Sequence, residues 1–134
     1  MSVLLDTNAC IAVMNAKPQA RERFRQVRRR REVASVSTIT LFELWFGIIK
    51  SSRTSENTGQ LEAFLPTIQT VDFDDEDARI AADLRLSLTR AGTPIGSYDL
   101  LIASQALRHG LIVVTANVRE FSRVPDLRLE NWET

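Results

Sequence analysis

The chain has 134 residues, of which 44% are hydrophobic and 25% charged, so it can bury the core of a single domain over residues 1–134. Its 17 basic residues balance its 17 acidic ones, which excludes a nucleic-acid binder that is basic throughout but not a local basic surface. No apolar run approaches the roughly 20 residues that span a bilayer, and the opening MSVLLDTN lacks the basic start of a secretory signal. We therefore expect a soluble, cytoplasmic protein with no membrane partner.

In chain order, the first half predicts two strands that each lead into a helix. The elements are a strand at Ser2–Leu5, a turn and helix start at Asp6–Asn8, a basic helix at Pro18–Arg31, a strand at Val33–Val36 and a helix at Ile39–Ile49. Proline suits the first turn of a helix, where its missing N–H is not needed, and Ser37 or Thr38 can cap the helix that follows. The segment Lys17–Arg31 carries eight cationic residues against Glu22 alone.

The second half continues the alternation. Its elements are a polar loop at Ser51–Gly59, a short helix at Gln60–Leu65, a strand at Ile68–Val71, a helix from Asp74 to near Gly92, a helix that Ser97 caps and Gly110 ends, a strand at Leu111–Val114 and a fifth strand at Leu127–Leu129. Short apolar strands that alternate with helices are typical of a parallel sheet covered on both faces. We predict an α/β fold with a central parallel sheet of four to five strands and helices on both sides.

Four oxygen-bearing side chains lie beside the ends of the predicted strands. They are Asp6, Glu43, Asp99 and Asn117. In an open parallel sheet these positions fall at the carboxyl edge, where ligands bind. Glu43 and Asp99 stand among apolar neighbours with no adjacent lysine or arginine, and an unbalanced charge in such surroundings is costly. A divalent cation would balance it.

Each of the four residues also has a purely structural interpretation. Asp6 can cap the turn after the first strand, and Glu43 can complete a capping box with Thr40. Asp99 suits a helix N-terminus, and Asn117 suits a turn. Their shared position at one edge of the sheet favours a functional site over four separate structural roles.

The chain resembles the VapC family of PIN-domain ribonucleases, the toxins of bacterial and archaeal toxin–antitoxin pairs, in the segments LLDTNACIAV, STITLFELWFGI, GSYDLLIASQAL and LIVVTANVREFSRVPDLRLENW. The resemblance runs from Val3 to Trp132 and implies a PIN-like fold. It implies that Asp6, Glu43 and Asp99 are catalytic carboxylates that hold Mg²⁺ or Mn²⁺, a hard cation that prefers oxygen ligands. The implied reaction is hydrolysis of RNA phosphodiester bonds to a 3′-hydroxyl and a 5′-phosphate.

The resemblance assigns further roles around these carboxylates. The family often has a fourth acid where this chain has Asn117, and Glu120 is the nearest acid that could replace it, so the number of metal ions stays open. The residues expected to support this site are Thr7 and Asn8, which can hydrogen-bond Asp6 or a phosphate, together with Thr115 and Glu120. The alternative role for Thr7, Asn8 and Thr115 is turn chemistry. Arg119 and Arg123 are expected to bind RNA phosphates, with the Lys17–Arg31 segment extending that contact.

The resemblance also implies partners. They are a VapB-type antitoxin, an RNA substrate and a second copy of the chain, assembled as a homodimer within a toxin–antitoxin hetero-oligomer. The apolar residues that we expect to line an antitoxin groove, with ordinary core packing as the alternative, are Trp45, Phe46, Ile49, Leu61 and Phe64.

Other classes of protein lack their required residues. A receiver domain needs a lysine after its last strand, but the only lysines are Lys17 and Lys50. The glycine patterns of P-loop and dinucleotide-binding proteins are absent, and the single histidine, His109, excludes metal-free cleavage by a histidine pair. One cysteine and one histidine also make a zinc site a poor fit. The remaining alternative is a PIN fold that binds RNA or protein without cleaving RNA.

Overall fold

The sequence folds into strands and helices that alternate, as described by a computed structural model for residues 2–134. In chain order the elements are β1 (Val3–Leu5), α1 (Thr7–Met14), α2 (Pro18–Arg29), β2 (Ala34–Ser37), α3 (Thr38–Ile49), α4 (Thr54–Phe64), a 3₁₀ turn (Leu65–Thr67), β3 (Gln69–Val71), α5 (Asp75–Arg90), α6 (Ser97–His109), β4 (Ile112–Val114), α7 (Val118–Phe121) and β5 (Leu129–Glu130). Every helix in this range is too short or too polar to span a bilayer.

The five strands form one parallel sheet in the order β3-β2-β1-β4-β5. The chain begins in the central strand, adds β2 and β3 on one side, and then crosses back to add β4 and β5 on the other. This reversal between β1 and β4 opens a crevice at the carboxyl ends of the strands, the usual ligand site of such sheets. The predicted parallel sheet is confirmed, and a fifth strand is present, but at Leu129–Glu130 rather than the predicted Leu127–Leu129.

Alternate residues of β1 face two hydrophobic cores. Val3 and Leu5 belong to the core beneath α1, α2, α3 and α4, which also contains Trp132. Leu4 belongs to the opposite core with residues of α5, α6 and α7. All three β1 side chains are buried, so helices cover the sheet on both faces as predicted.

The predicted loop at Ser51–Gly59 is wrong, because α4 begins at Thr54. The first half of this helix is polar and mostly exposed, so it carries no hydrophobic periodicity that sequence could reveal. Leu61 and Phe64, in its last turns, anchor it to the core. Tertiary packing, rather than local propensity, therefore fixes this helix.

The predicted cap of α6 by Ser97 is also wrong. Gly96 takes the N-cap position, and Ser97 is the first residue of the helix. A side chain at residue 96 would crowd a neighbour, since a Cβ there would lie 3.3 Å from Glu120 Oε1. The missing side chain of glycine therefore allows Glu120 to approach the start of α6.

Arg108, in the last turn of α6, joins that helix to the acidic start of α5. Its guanidinium lies 2.6 Å from Asp74, 2.8 Å from Glu76 and 3.0 Å from the fully buried Asp77. The hydrogen bond from Arg108 is the main reason that the pKa of Asp74 falls to about 2. Asp74 and Asp77 also form a reciprocal capping box, so the acidic cluster has a structural role.

Candidate active site

Asp6 follows β1 directly and is the N-cap of α1. One of its carboxylate oxygens accepts a 2.8 Å hydrogen bond from the backbone N–H of Ala9. Burial raises the pKa of Asp6, while hydrogen bonds from Thr115 and Ala9 oppose that rise. The negative charges of Glu133 and Glu43 raise it further. The cap interpretation of Asp6 is therefore correct, but the residue also belongs to a cluster of carboxylates.

Glu43 lies in the second turn of α3, half-buried beside the start of α1. Its Oε1 accepts a 2.8 Å hydrogen bond from the Thr7 hydroxyl. The predicted capping box with Thr40 is wrong, because Ser37 caps α3 by accepting from the Ile39 N–H, and Thr40 is buried within the helix. The Glu43 side chain is thus oriented by Thr7 of α1 and does not cap its own helix.

Asp99 lies in the first turn of α6, as its helix-terminus interpretation predicts. Burial raises its pKa to about 6, and the negative charges of Glu120, Asp6 and Glu43 add to that rise. Asp99 therefore interacts electrostatically with the two other predicted carboxylates, although the three come from distant parts of the chain. The three carboxylates therefore lie near one another at the carboxyl edge of the sheet, as expected from their positions beside the predicted strand ends.

Glu120 and Asn117 form a pair next to Asp99. The Asn117 side-chain amide donates a 2.8 Å hydrogen bond to Glu120 Oε2, and the backbone N–H of Gly96 donates to Oε1. These two hydrogen bonds, from Gly96 first and Asn117 second, lower the pKa of Glu120. Glu120 therefore brings a negative charge to Asp99, while Asn117 holds Glu120 in place.

Two of the predicted supporting residues, Thr115 and Thr7, form a hydrogen bond with a carboxylate of the cluster, whereas Asn8 is exposed. Thr115 is fully buried; it forms a hydrogen bond with Asp6, and its hydroxyl oxygen accepts the Asn117 N–H at 2.9 Å. Thr7 contacts Glu43 rather than Asp6. Asn8 is exposed on the first turn of α1.

Glu133 is a residue of this site that the sequence did not predict. Its negative charge acts on Asp6, and its carboxylate pairs with Lys17 at 3.2 Å. No local sequence pattern relates Glu133 to β1, so only the fold reveals the contact.

The cluster fits a hard divalent cation by its chemistry. Its donors are carboxylate and amide oxygens, which Mg²⁺ and Mn²⁺ prefer. Within residues 2–134, no three Asp, Glu, His or Cys side chains stand close enough together to hold a metal ion as they are. Burial is the main cause of the raised pKa of Asp99, and repulsion from the neighbouring carboxylates adds to it. A bound cation would relieve that repulsion, as protonation of Asp99 also does.

The predicted phosphate contacts are only partly near this cluster. Arg119 is exposed on α7, and Arg123 donates to the Pro94 carbonyl at 2.7 Å, close to the start of α6. Within the basic segment, Lys17 pairs with Glu133, whose charge acts on Asp6, whereas Arg30 lines a cavity with Val3 and Ile112 at the amino ends of the strands. Only the start of the segment is therefore linked to the carboxylates, and its expected contact with RNA stays a prediction.

Two adjoining cavities lie between the helices on the α1 side of the sheet. The inner cavity, about 280 Å³, is lined by Thr7, Ile11, Met14, Asn15, Glu43, Leu44, Gly47, Ile48, Asn57, Gln60 and Leu61. The arginine cavity, about 300 Å³, is lined by Val13, Met14, Arg21, Phe24, Arg25, Arg28, Gln60, Ala63, Phe64 and Thr67. Of the five predicted groove residues, Leu61 and Phe64 are largely buried, and each lines one cavity.

The other three predicted groove residues line neither cavity. Trp45 packs partly against the core, whereas Phe46 and Ile49 are 57% and 71% exposed. Their exposed neighbours Phe42 and Tyr98 stack edge to face with ring centroids 5.8 Å apart. We call Phe42, Phe46, Ile49 and Tyr98 the aromatic stripe.

Comparison with known proteins places the chain in a family. The PIN domain model matches residues 3–127. The tRNA(fMet)-specific endonuclease VapC of Salmonella typhimurium is 41% identical over 133 residues, 98% of each chain, and ribonuclease VapC2 of Rickettsia felis is 35% identical over 99% of each chain. The solved structure of VapBC2 from Rickettsia felis bound to a promoter DNA fragment matches with a TM-score of 0.92 at 34% identity, covering 98% of this chain and 99% of that one. The chain therefore belongs to the PIN-domain family and, within it, to the VapC ribonuclease toxins.

Proposed function

We propose that this chain is a Mg²⁺- or Mn²⁺-dependent endoribonuclease, a single PIN domain over residues 1–134 that acts in the cytoplasm as the toxin of a toxin–antitoxin pair. The observation that carries the metal dependence is the electrostatic coupling of Asp6, Glu43 and Asp99 at one edge of the sheet. Three coupled carboxylates in a partly buried crevice are a costly arrangement unless a cation binds there.

Each residue of the site has a distinct role in this proposal. Asp6, Glu43 and Asp99 would hold the cation, which would polarise the scissile phosphate and lower the pKa of the attacking water. Thr115 and Thr7 orient Asp6 and Glu43 through their hydrogen bonds. The water oxygen bonds to phosphorus as the P–O3′ bond breaks, the water gives up one proton to solvent, and O3′ takes one from solvent, which leaves a 3′-hydroxyl and a 5′-phosphate.

Cleavage of total RNA by purified wild type and an Asp6→Asn variant tests this proposal. We expect Mg²⁺-dependent cleavage by the wild type, at least a hundredfold loss in the variant, and full activity in a control Asp72→Asn variant, whose exposed acid lies outside the site. Cleavage that survives both EDTA and Asp6→Asn would overturn the mechanism. Metal binding without any cleavage would favour the alternative of a PIN fold that only binds RNA or protein.

The choice of RNA can be narrowed by the Salmonella relative, whose name specifies tRNA(fMet). We propose tRNA(fMet) as the substrate, since 41% identity over nearly the whole chain supports a shared target. A comparison of cleavage rates on tRNA(fMet) and on elongator tRNA(Met) tests it. Equal rates on the two would contradict this choice without affecting the proposed chemistry.

A VapB-type antitoxin is the expected protein partner, because the Rickettsia structure is a VapBC complex. We propose the arginine cavity as its docking site. Arg21, Arg25 and Arg28 line it beside the apolar side chains of Phe24 and Phe64, which suits a peptide with acidic and apolar residues. Arg25→Glu should weaken antitoxin binding at least tenfold in calorimetry, whereas Arg85→Glu, an exposed arginine on α5, should not.

We further propose that the aromatic stripe packs against a second copy of the chain. An apolar stripe this exposed is uncommon on a monomer, and a two-fold axis can place the same stripe on both sides of one interface. Phe46→Glu should give a monomer in light scattering, while Leu86→Glu, at an exposed apolar site on α5, should not change the mass. A dimer that survives Phe46→Glu would place the interface elsewhere.

A further inference from the structure

The inner cavity adjoins the carboxylate cluster. Thr7 and Glu43, which share a hydrogen bond, form part of its wall. The rest of the wall is mainly apolar, from Ile11, Met14 and Leu44 together with other residues of α3 and α4. Its volume of about 280 Å³ is below that of sites for drug-sized ligands, so it suits one small planar group.

Three carboxamides complete the lining of this cavity. They belong to Asn15, Asn57 and Gln60. The amide nitrogen of Gln60 donates to the Met14 carbonyl, and that of Asn57 donates to the Ser51 hydroxyl, each at 3.2 Å. Because both contacts use the nitrogen, the amide oxygens of these two side chains remain to accept from a ligand. No arginine or lysine lines the inner cavity, in contrast to the arginine cavity.

We propose that the inner cavity binds one unstacked nucleobase of the RNA next to the scissile phosphate, and that it selects bases with an exocyclic amino group. Proteins read single-stranded RNA by splaying out bases and bonding their edges, and Asn and Gln are common readers of those edges. A partly apolar cavity with amide acceptors, one carboxylate and no cationic side chain suits a base that donates hydrogen bonds. The inference rests on the proposed ribonuclease function, since the shared Glu43 places the base beside the chemistry.

Gly47 offers a way to block the cavity without disturbing the fold. It lies within α3 on the cavity wall, and a Cβ built there meets no atom within 4 Å. Replacement of an interior helix glycine also favours the helix, so Gly47→Leu should fold and place its side chain in open space. Gly59→Leu is the matched control, because Gly59 lies within α4, meets nothing within 4 Å, and lines neither cavity.

The experiment measures cleavage of single-stranded oligoribonucleotides in which each base flanking the cleaved bond is varied in turn. We expect the wild type to favour adenine, guanine or cytosine over uracil at one of these positions by about tenfold, the size of one good base contact. Gly47→Leu should remove that preference and lower kcat/KM on the favoured substrate about tenfold, and Gln60→Leu should reduce the preference. Gly59→Leu should retain both the rate and the preference.

Measurement of RNA affinity, in place of cleavage, tests this inference separately from the proposed chemistry. Fluorescence anisotropy of the same oligonucleotides on the uncleaving Asp6→Asn variant should show the same base preference, which Gly47→Leu in that background should remove. This holds even if the wild type fails to cleave RNA. An unchanged preference in Gly47→Leu overturns the inference, and loss of antitoxin binding alone in that variant would assign the cavity to a peptide side chain instead.

Discussion

The Thr7 hydroxyl donates a 2.8 Å hydrogen bond to the Glu43 carboxylate, although 36 positions separate the two residues in sequence. Thr7 opens α1 directly after Asp6, and Glu43 lies one turn into α3. The contact therefore ties the Glu43 carboxylate to Thr7, the residue that directly follows Asp6. It also removes one rotational freedom of Glu43 before any ligand binds.

Replacement of Thr7 by valine should lower kcat for RNA cleavage about tenfold, because Glu43 loses the partner that orients it. Valine keeps the shape of threonine and the fold, which circular dichroism can verify. Thr7→Ser keeps a hydroxyl and should restore most of the rate. A Thr7→Val variant as active as wild type would mean that Glu43 needs no such support.

Asp99 should make the metal-free protein less stable as pH rises. Its folded pKa of about 6 exceeds the ordinary value of 3.8, so its contribution to stability is complete below pH 4 and is lost as pH rises through 6. Asp99→Asn removes this titration and should raise Tm in EDTA by roughly 2–4 °C at pH 8, the size of a 1 kcal/mol change, but not at pH 4. Thermal melts across this range, with Asp72→Asn as control, measure it.

The same pKa predicts the pH profile of cleavage. Protons compete with the cation for Asp99, so wild-type activity at limiting Mg²⁺ should fall as pH drops below 6. Saturating Mg²⁺ should move that fall to lower pH. A profile independent of Mg²⁺ concentration would remove Asp99 from the metal site.

Glu120 and Asn117 should differ in importance. Glu120→Gln removes the negative charge beside Asp99 and should raise the Mg²⁺ concentration needed for half-maximal cleavage several-fold. Asn117→Ala removes one of the hydrogen bonds that position Glu120 and should have a smaller effect in the same direction. If Asn117→Ala proved the more damaging change, the amide itself would be the ligand.

Arg108 should matter for stability and not for catalysis. Arg108→Met leaves the buried Asp77 without its cationic partner and should lower Tm by several degrees. Arg108 follows Asp99 by nine residues, about 13 Å along α6, so the kcat of the folded variant should match wild type. Arg85→Met on α5 is the control for loss of an exposed arginine.

The sequence predicts the positions of those site residues that lie next to the ends of strands. Asp6 follows β1 directly, Glu43 lies in the second turn of α3 and Asp99 in the first turn of α6, so a parallel sheet is enough to bring them to one edge. Contacts between distant segments leave no local pattern, which is why the bonds from Thr7 to Glu43 and from Gly96 to Glu120 were not predicted. The start of α4 was missed for a related reason, since its exposed polar residues carry no periodicity.

The place of β4 between β1 and β5 also bears on how the site is assembled as the chain folds. Asp6 and its hydrogen-bond partner Thr115 are 109 positions apart, and β4 directly precedes Thr115. Until β4 pairs with β1, one side of the central strand is uncovered and Thr115 is not held beside Asp6. The carboxylate site is therefore completed by a long-range strand pairing, so any variant that weakens that pairing disturbs Asp6 as well as the sheet.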